Sequence, residues 1–127
     1  MKLDKKEPPR QYKTGAGREV TISDCGSVIL EPDEQVTFVT QNGAEYDFSR
    51  KSWGYYAAPS LNRRLKKFGL RAVLVKSEDD VFYVMVVEKG KEREFQGYLR
   101  IEGHRIVTWL DSDEALKDVD RSLNSRQ

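Results

Sequence analysis

The chain has 127 residues, of which 38% are hydrophobic and 34% charged, with a formal net charge of +1 and one cysteine. That length suits one hydrophobic core and is short for two, Cys25 alone excludes an internal disulfide, and no apolar run approaches the ~18 residues that cross a bilayer. The charged start Met1-Lys2-Leu3-Asp4-Lys5-Lys6-Glu7 is unlike a secretory leader, so a cytoplasmic setting is expected.

Residues 1–17 hold Pro8-Pro9 and Gly15-Ala16-Gly17, few apolar side chains and scattered charge. Such a composition is expected to remain a flexible tail ahead of a single globular domain over 18–124. Period-two alternation at Val20 and Ile22, a turn at Asp24-Cys25-Gly26 and the run Val28-Ile29-Leu30 predict two short strands. A hairpin follows, with arms at 35–40 and 44–49 around Gln41-Asn42-Gly43. A two-residue Asn-Gly loop would split the aromatic side chains between faces. A three-residue loop with Gly43 left-handed instead pairs Phe38 with Tyr46 and Val36 with Phe48, so this register is predicted.

An irregular passage over 50–59 leads to a helix capped by Ser60, with Leu61, Leu65 and Phe68 as its apolar stripe and Gly69 just past its end. The segments 70–76 and 81–88 are apolar on both faces and read as central strands. Phe95, Tyr98 and Leu99 favour a helix over 91–101, with a strand as the alternative. Residues 105–110 return to strand, and Ser112 opens a last helix with the stripe Leu116, Val119 and Leu123, expected to fray after Ser122. The sum is an α+β fold: a mostly antiparallel, curved sheet forming a roll or partial barrel, with two or three short helices.

The most uneven feature is charge. Between Phe48 and Ser77 there are eight Lys or Arg residues and no acid, so the rest of the chain carries a net −7. Guanidinium and ammonium groups bind phosphates and carboxylates, and aromatic rings stack on bases or on the apolar faces of sugars. Arg50, Lys51, Trp53, Tyr55, Tyr56, Asn62 and Arg63 therefore form a candidate site for a small anionic ligand, at the start of the helix that follows Ser60. The competing reading takes Arg63, Arg64, Lys66 and Lys67 as a solvated helix face above a packed Trp53. An extended nucleic acid is disfavoured by the small net charge and the acidic remainder.

No catalytic residue is assigned. His104 stands in a turn without a partner nucleophile, Cys25 lies in a turn without a hydrolase signature, and one His with one Cys excludes a typical zinc site unless carboxylates or a second chain complete it. Asp111, Asp113, Glu114, Asp118 and Asp120 lack EF-hand spacing, since Ala115 and Leu116 fall where a ligand and a glycine are needed. Gly15-Ala16-Gly17 lacks the Lys-Ser or Lys-Thr of a phosphate loop. No cofactor and no metal are expected.

The run Tyr46-Asp47-Phe48-Ser49-Arg50-Lys51-Ser52-Trp53-Gly54-Tyr55-Tyr56-Ala57-Ala58-Pro59-Ser60-Leu61-Asn62, with Arg64-Leu65-Lys66-Lys67-Phe68-Gly69, resembles a family of small bacterial proteins associated with gene sets for cell-surface polysaccharides, including sialic-acid-like sugars. The resemblance spans 34–111. It implies an anionic sugar or nucleotide sugar as ligand and supplies no catalytic residues. Three functions follow as expectations: a non-enzymatic binding or accessory domain, a small sugar-metabolism enzyme with unrecognised carboxylates, and a protein-interaction or homo-oligomeric scaffold anchored by Trp53 and the tyrosines.

Overall fold

Two apolar clusters organise the computed structural model, which describes residues 1–124. In one, Ala44, Leu65, Leu70 and Ala72 are buried against Tyr46, Leu61 and Leu110; in the other, Val73, Val75, Val87 and Leu99 are buried against Met85, Phe95, Ile106 and Trp109. The elements around them are β1 Lys2–Thr14, β2 Val20–Ile29, β3 Gln35–Val39, β4 Glu45–Lys51, β5 Gly54–Ala57, α1 Arg64–Lys67, β6 Leu70–Lys76, β7 Phe82–Glu88, α2 Glu92–Glu102, β8 Arg105–Trp109 and α3 Asp113–Asn124. The fold is α+β and its strand pairs are antiparallel. The expected single curved sheet is instead divided into three, β1-β2, β3-β4-β5 and β7-β6-β8, which do not close into a barrel. Pro59 follows β5 without an N–H to extend its ladder, and the turn and helix after it separate the second sheet from the third.

The first correction concerns the amino terminus. Residues 2–14, expected as a tail, run as β1 against β2, and the two strands expected over 20–30 are one continuous strand. Asp24, Cys25 and Gly26 form no turn; they lie at a shift in register, opposite an extra loop of β1 between Lys5 and Arg10. Charge holds this irregularity, because the Asp24 carboxylate accepts from Lys6 Nζ at 2.8 Å and Arg10 Nη2 at 3.3 Å. The hairpin's tip docks on the helical side of the molecule. The backbone N–H groups of Ala16, Gly17 and Arg18 converge on the Glu102 carboxylate at 3.1, 2.5 and 3.1 Å. A side chain at Gly17 would collide with the Ile101 carbonyl oxygen, so this approach requires glycine.

The central hairpin has the register expected from shared faces. Phe38 opposes Tyr46 and Val36 opposes Phe48, and Gly43 takes φ 88° within the Gln41-Asn42-Gly43 loop. The passage over 50–59, expected as irregular, contains β5, which folds back on β4 with Lys51 opposite Gly54 and Arg50 opposite Tyr55. The helix expected from Ser60 is a single turn, because residues 61–63 form a turn and only 64–67 are helical. The N-cap is therefore Arg63 and not the expected Ser60, whose Oγ instead accepts from the Arg64 N–H at 2.9 Å across the preceding turn. Leu65 is wholly buried, and Gly69 ends the helix at φ 86°.

In the third sheet β6 is central, but β7 lies at an edge, contrary to the expectation of two central strands. Residues 92–102 are helix, as Phe95 and Leu99 require in order to pack on Val73, Val75 and Val87. Ser112 caps α3 through Ala115 N–H at 3.0 Å, and the helix continues past Ser122 to Asn124.

Candidate functional site

The alternation of side chains along β4 and β5 divides the candidate residues. Arg50 and Tyr55 are directly opposed and therefore share a face, which also carries Phe48 and Ala57. Lys51 and Tyr56 project from the opposite face, and Trp53 sits in the loop between the strands, 71% exposed. Asn62 and Arg63 lie elsewhere, before α1.

Most of the positive charge in this segment is matched by acids from distant parts of the chain. Lys51 Nζ is 2.9 Å from Asp33, and Arg64 is 3.9 Å from Asp47. Asn62 Nδ2 and Arg63 Nη1 both donate to Asp113 Oδ1, at 2.6 and 2.8 Å. These two bonds, the amide's first, hold the Asp113 carboxyl below its usual range. Arg71 reaches Asp111 and Glu92, and Lys76 reaches Asp80. Among the described residues, Arg50, Lys66 and Lys67 are the cations of the segment with no carboxylate in ion-pair range. The acidic cluster at the start of α3 is likewise divided, with Asp111 committed to Arg71 and Asp113 to Asn62 and Arg63.

Arg50 keeps a distinct environment. Its Nη1 donates to the Gly54 carbonyl at 3.2 Å, and its guanidinium lies 5.7 Å from the centre of the Tyr55 ring. Tyr55 packs edge-on against Phe48 at 6.2 Å, and Phe48 in turn meets Phe38 at 6.2 Å and Tyr46 at 5.4 Å. The Phe38, Phe48 and Tyr55 rings floor a groove of about 250 Å³ whose other lining residues are Val28, Leu30 and Val36. The wall supplied by Val28 and Leu30 was not legible in the sequence, because it depends on where the β1-β2 hairpin lies.

A second hollow, about 560 Å³, opens between the hairpin and α2, with Val20, Ile22, Tyr98 and Ile101 as apolar walls and Arg18, Glu94 and Glu102 among its polar lining. Its lining pairs residues more than seventy positions apart, so no local pattern announced it. The Glu102 carboxyl is held below its usual range chiefly by the Gly17 N–H, then by those of Arg18 and Ala16. His104 stacks on Tyr83 at 5.9 Å and its buried Nδ1 has no hydrogen-bond partner among the described residues. Cys25 is exposed. Among the described residues no helix is long and apolar enough to cross a membrane. No family model, no curated protein and no solved structure matches this chain.

Proposed function

We propose that the chain is a non-enzymatic binding or accessory domain that holds an anionic sugar or nucleotide sugar in the aromatic groove beside Arg50, within a bacterial cytoplasm. One observation carries the reading: Arg50, with no carboxylate in ion-pair range among the described residues, stands next to Tyr55 at a groove floored by aromatic rings. A cation supplies charge-assisted hydrogen bonds to a carboxylate or phosphate, while ring faces accept the apolar face of a sugar or a base. The groove volume of about 250 Å³ is below the ~300–1,000 Å³ usual for whole small-molecule sites, so it takes one ring of the ligand and leaves the remainder to Arg50 and the exposed Trp53 of the connecting loop, while Tyr56, on the opposite face, takes no part. The hollow under the hairpin suits an anion less well, because Glu94 and Glu102 oppose the single charge of Arg18. Asn62 and Arg63, committed to Asp113, take no part in this reading.

Thermal unfolding against a panel of sugar phosphates and nucleotide sugars tests it, since a ligand of the native state raises Tm with occupancy. A saturable rise is expected for members that carry an anionic sugar, lost in Arg50→Ala with an unchanged ligand-free Tm and kept in Arg63→Ala. No rise with any member, or an Arg50→Ala variant that binds as the wild type does, refutes the proposal.

A further inference from the structure

The edge strand β7 presents a surface that the aromatic groove does not explain. Lys89 N–H donates to the Gly69 carbonyl and Ser77 N–H to that of Val81. Carried along the observed register, in which Val73 opposes Met85, this alternation turns the backbone groups of 81, 83, 85, 87 and 89 toward β6. The N–H and C=O groups of Phe82, Val84, Val86 and Glu88 therefore face the open edge. The side chains of Phe82, Val84 and Val86 stand on the sheet face opposite α2, whose contacts are with Val73, Val75, Met85 and Val87. They are 55%, 65% and 40% exposed. Edge strands are usually protected by a charge, a proline or a bulge, and 81–87 contains none of these.

Charge identifies the occupant. Glu78-Asp79-Asp80 precede β7, and Lys89 and Lys91 follow it, so the strand is acidic at one end and basic at the other. A strand laid antiparallel with the same sequence brings acid to base at both ends, whereas a parallel copy stacks like on like. We infer that β7 pairs antiparallel with β7 of a second copy of this chain, across a two-fold axis at Met85, fusing two three-stranded sheets into one. In this register Val84 opposes Val86 of the other copy, Phe82 opposes Glu88, and Asp79 comes beside Lys91. The open-edge groups of 82, 84, 86 and 88 all find partners, as hydrogen-bonded pairs. A slip of two residues one way sets Asp80 against Glu88, and the other way sets Glu88 against Val84. Glu88 tolerates its place because its carboxylate already accepts from Thr40 Oγ1 and Asn42 Nδ2.

Sedimentation velocity on the full chain, from low micromolar to submillimolar concentration, reads the assembly directly. A concentration-dependent species of twice the 14.7 kDa chain mass is expected. Val84→Lys, at an exposed position, raises the dimer Kd at least about tenfold. Asp79→Lys and Lys91→Glu each weaken the dimer at low salt, and the two together on one chain restore it, which a general loss of fold would not do. Amide exchange supplies a readout without substitution: the N–H groups of Phe82, Val84 and Val86 gain protection on dimerisation, while those of Tyr83 and Met85 are protected in either state. A monomer at all concentrations, a dimer insensitive to both sets of variants, or fast exchange at Val84 and Val86 in the dimer overturns the inference. Failure of sugar binding leaves it untouched, since the groove lies on another sheet.

Discussion

Replacement of Asp111 by alanine tests what fastens the start of α3 to the third sheet. Asp111 is 4% exposed and accepts from Arg71 Nε at 2.6 Å and Nη2 at 3.4 Å. The same guanidinium lies 3.8 Å from the centre of the Trp109 ring and 3.3 Å from Glu92. The Asp111 bond is the main reason that Arg71 holds its proton more tightly than an ordinary arginine; a guanidinium stays charged without any such partner, so removing Asp111 leaves an unpaired cation. Breaking a wholly buried pair costs about 3–5 kcal/mol; with Arg71 still 28% exposed and able to turn to Glu92, about 2–3 kcal/mol is expected here. For a chain of this length that lowers Tm by about 6–12 °C, measurable by circular dichroism with a urea titration to give the free energy. Arg71→Met with Asp111→Leu keeps the packing on Trp109 and removes both charges, and should come back to within about 1 kcal/mol of wild type. A fall in Tm of under about 2 °C for Asp111→Ala, or a double variant as damaged as the single, refutes this account of the network.

Acidification should release the hairpin tip before the core. The folded Glu102 carboxyl ionises more readily than an unfolded one, so its stabilising effect is complete above the ordinary carboxylate range and is lost as pH falls through the depressed folded value. The protection of amides 16–18 from exchange, taken relative to the intrinsic rate at each pH, should fall in wild type between about pH 6 and about pH 3, and Glu102→Gln should lack it throughout; equal protection at all pH values in both proteins would contradict the latch. Leu65→Ala removes a side chain with no solvent exposure from the first apolar cluster and should cost about 2–5 kcal/mol in urea unfolding, although α1 is only one turn long. A loss below about 1 kcal/mol would mean that the cluster does not depend on it.

What could be read in advance was local. The Phe38–Tyr46 register, the left-handed Gly43, the strands over 70–76 and 105–109, and the helices after Lys91 and Ser112 each follow from side-chain period, turn chemistry or capping within a few residues. The amino terminus was misjudged for the same reason. Judged by its own composition it cannot order itself, but β2 supplies the hydrogen bonds and Glu102 holds the tip from over eighty positions away. The basic segment shows the opposite failure. Thirty residues without an acid read as a concentrated positive field, yet Asp33, Asp47, Asp113, Asp111 and Glu92 arrive from outside it and leave Arg50 as the cation beside the aromatic groove.

Sequence by itself determined the α+β class, most element boundaries and the identity of the aromatic and cationic side chains, because period and turn propensity act over a few bonds. Tertiary structure alone decided which strands share a sheet, which charges are neutralised, and that β7 keeps an open apolar edge. Those outcomes depend on pairings between residues far apart in the chain, where the free energy lies in the meeting of two surfaces and neither segment encodes it separately.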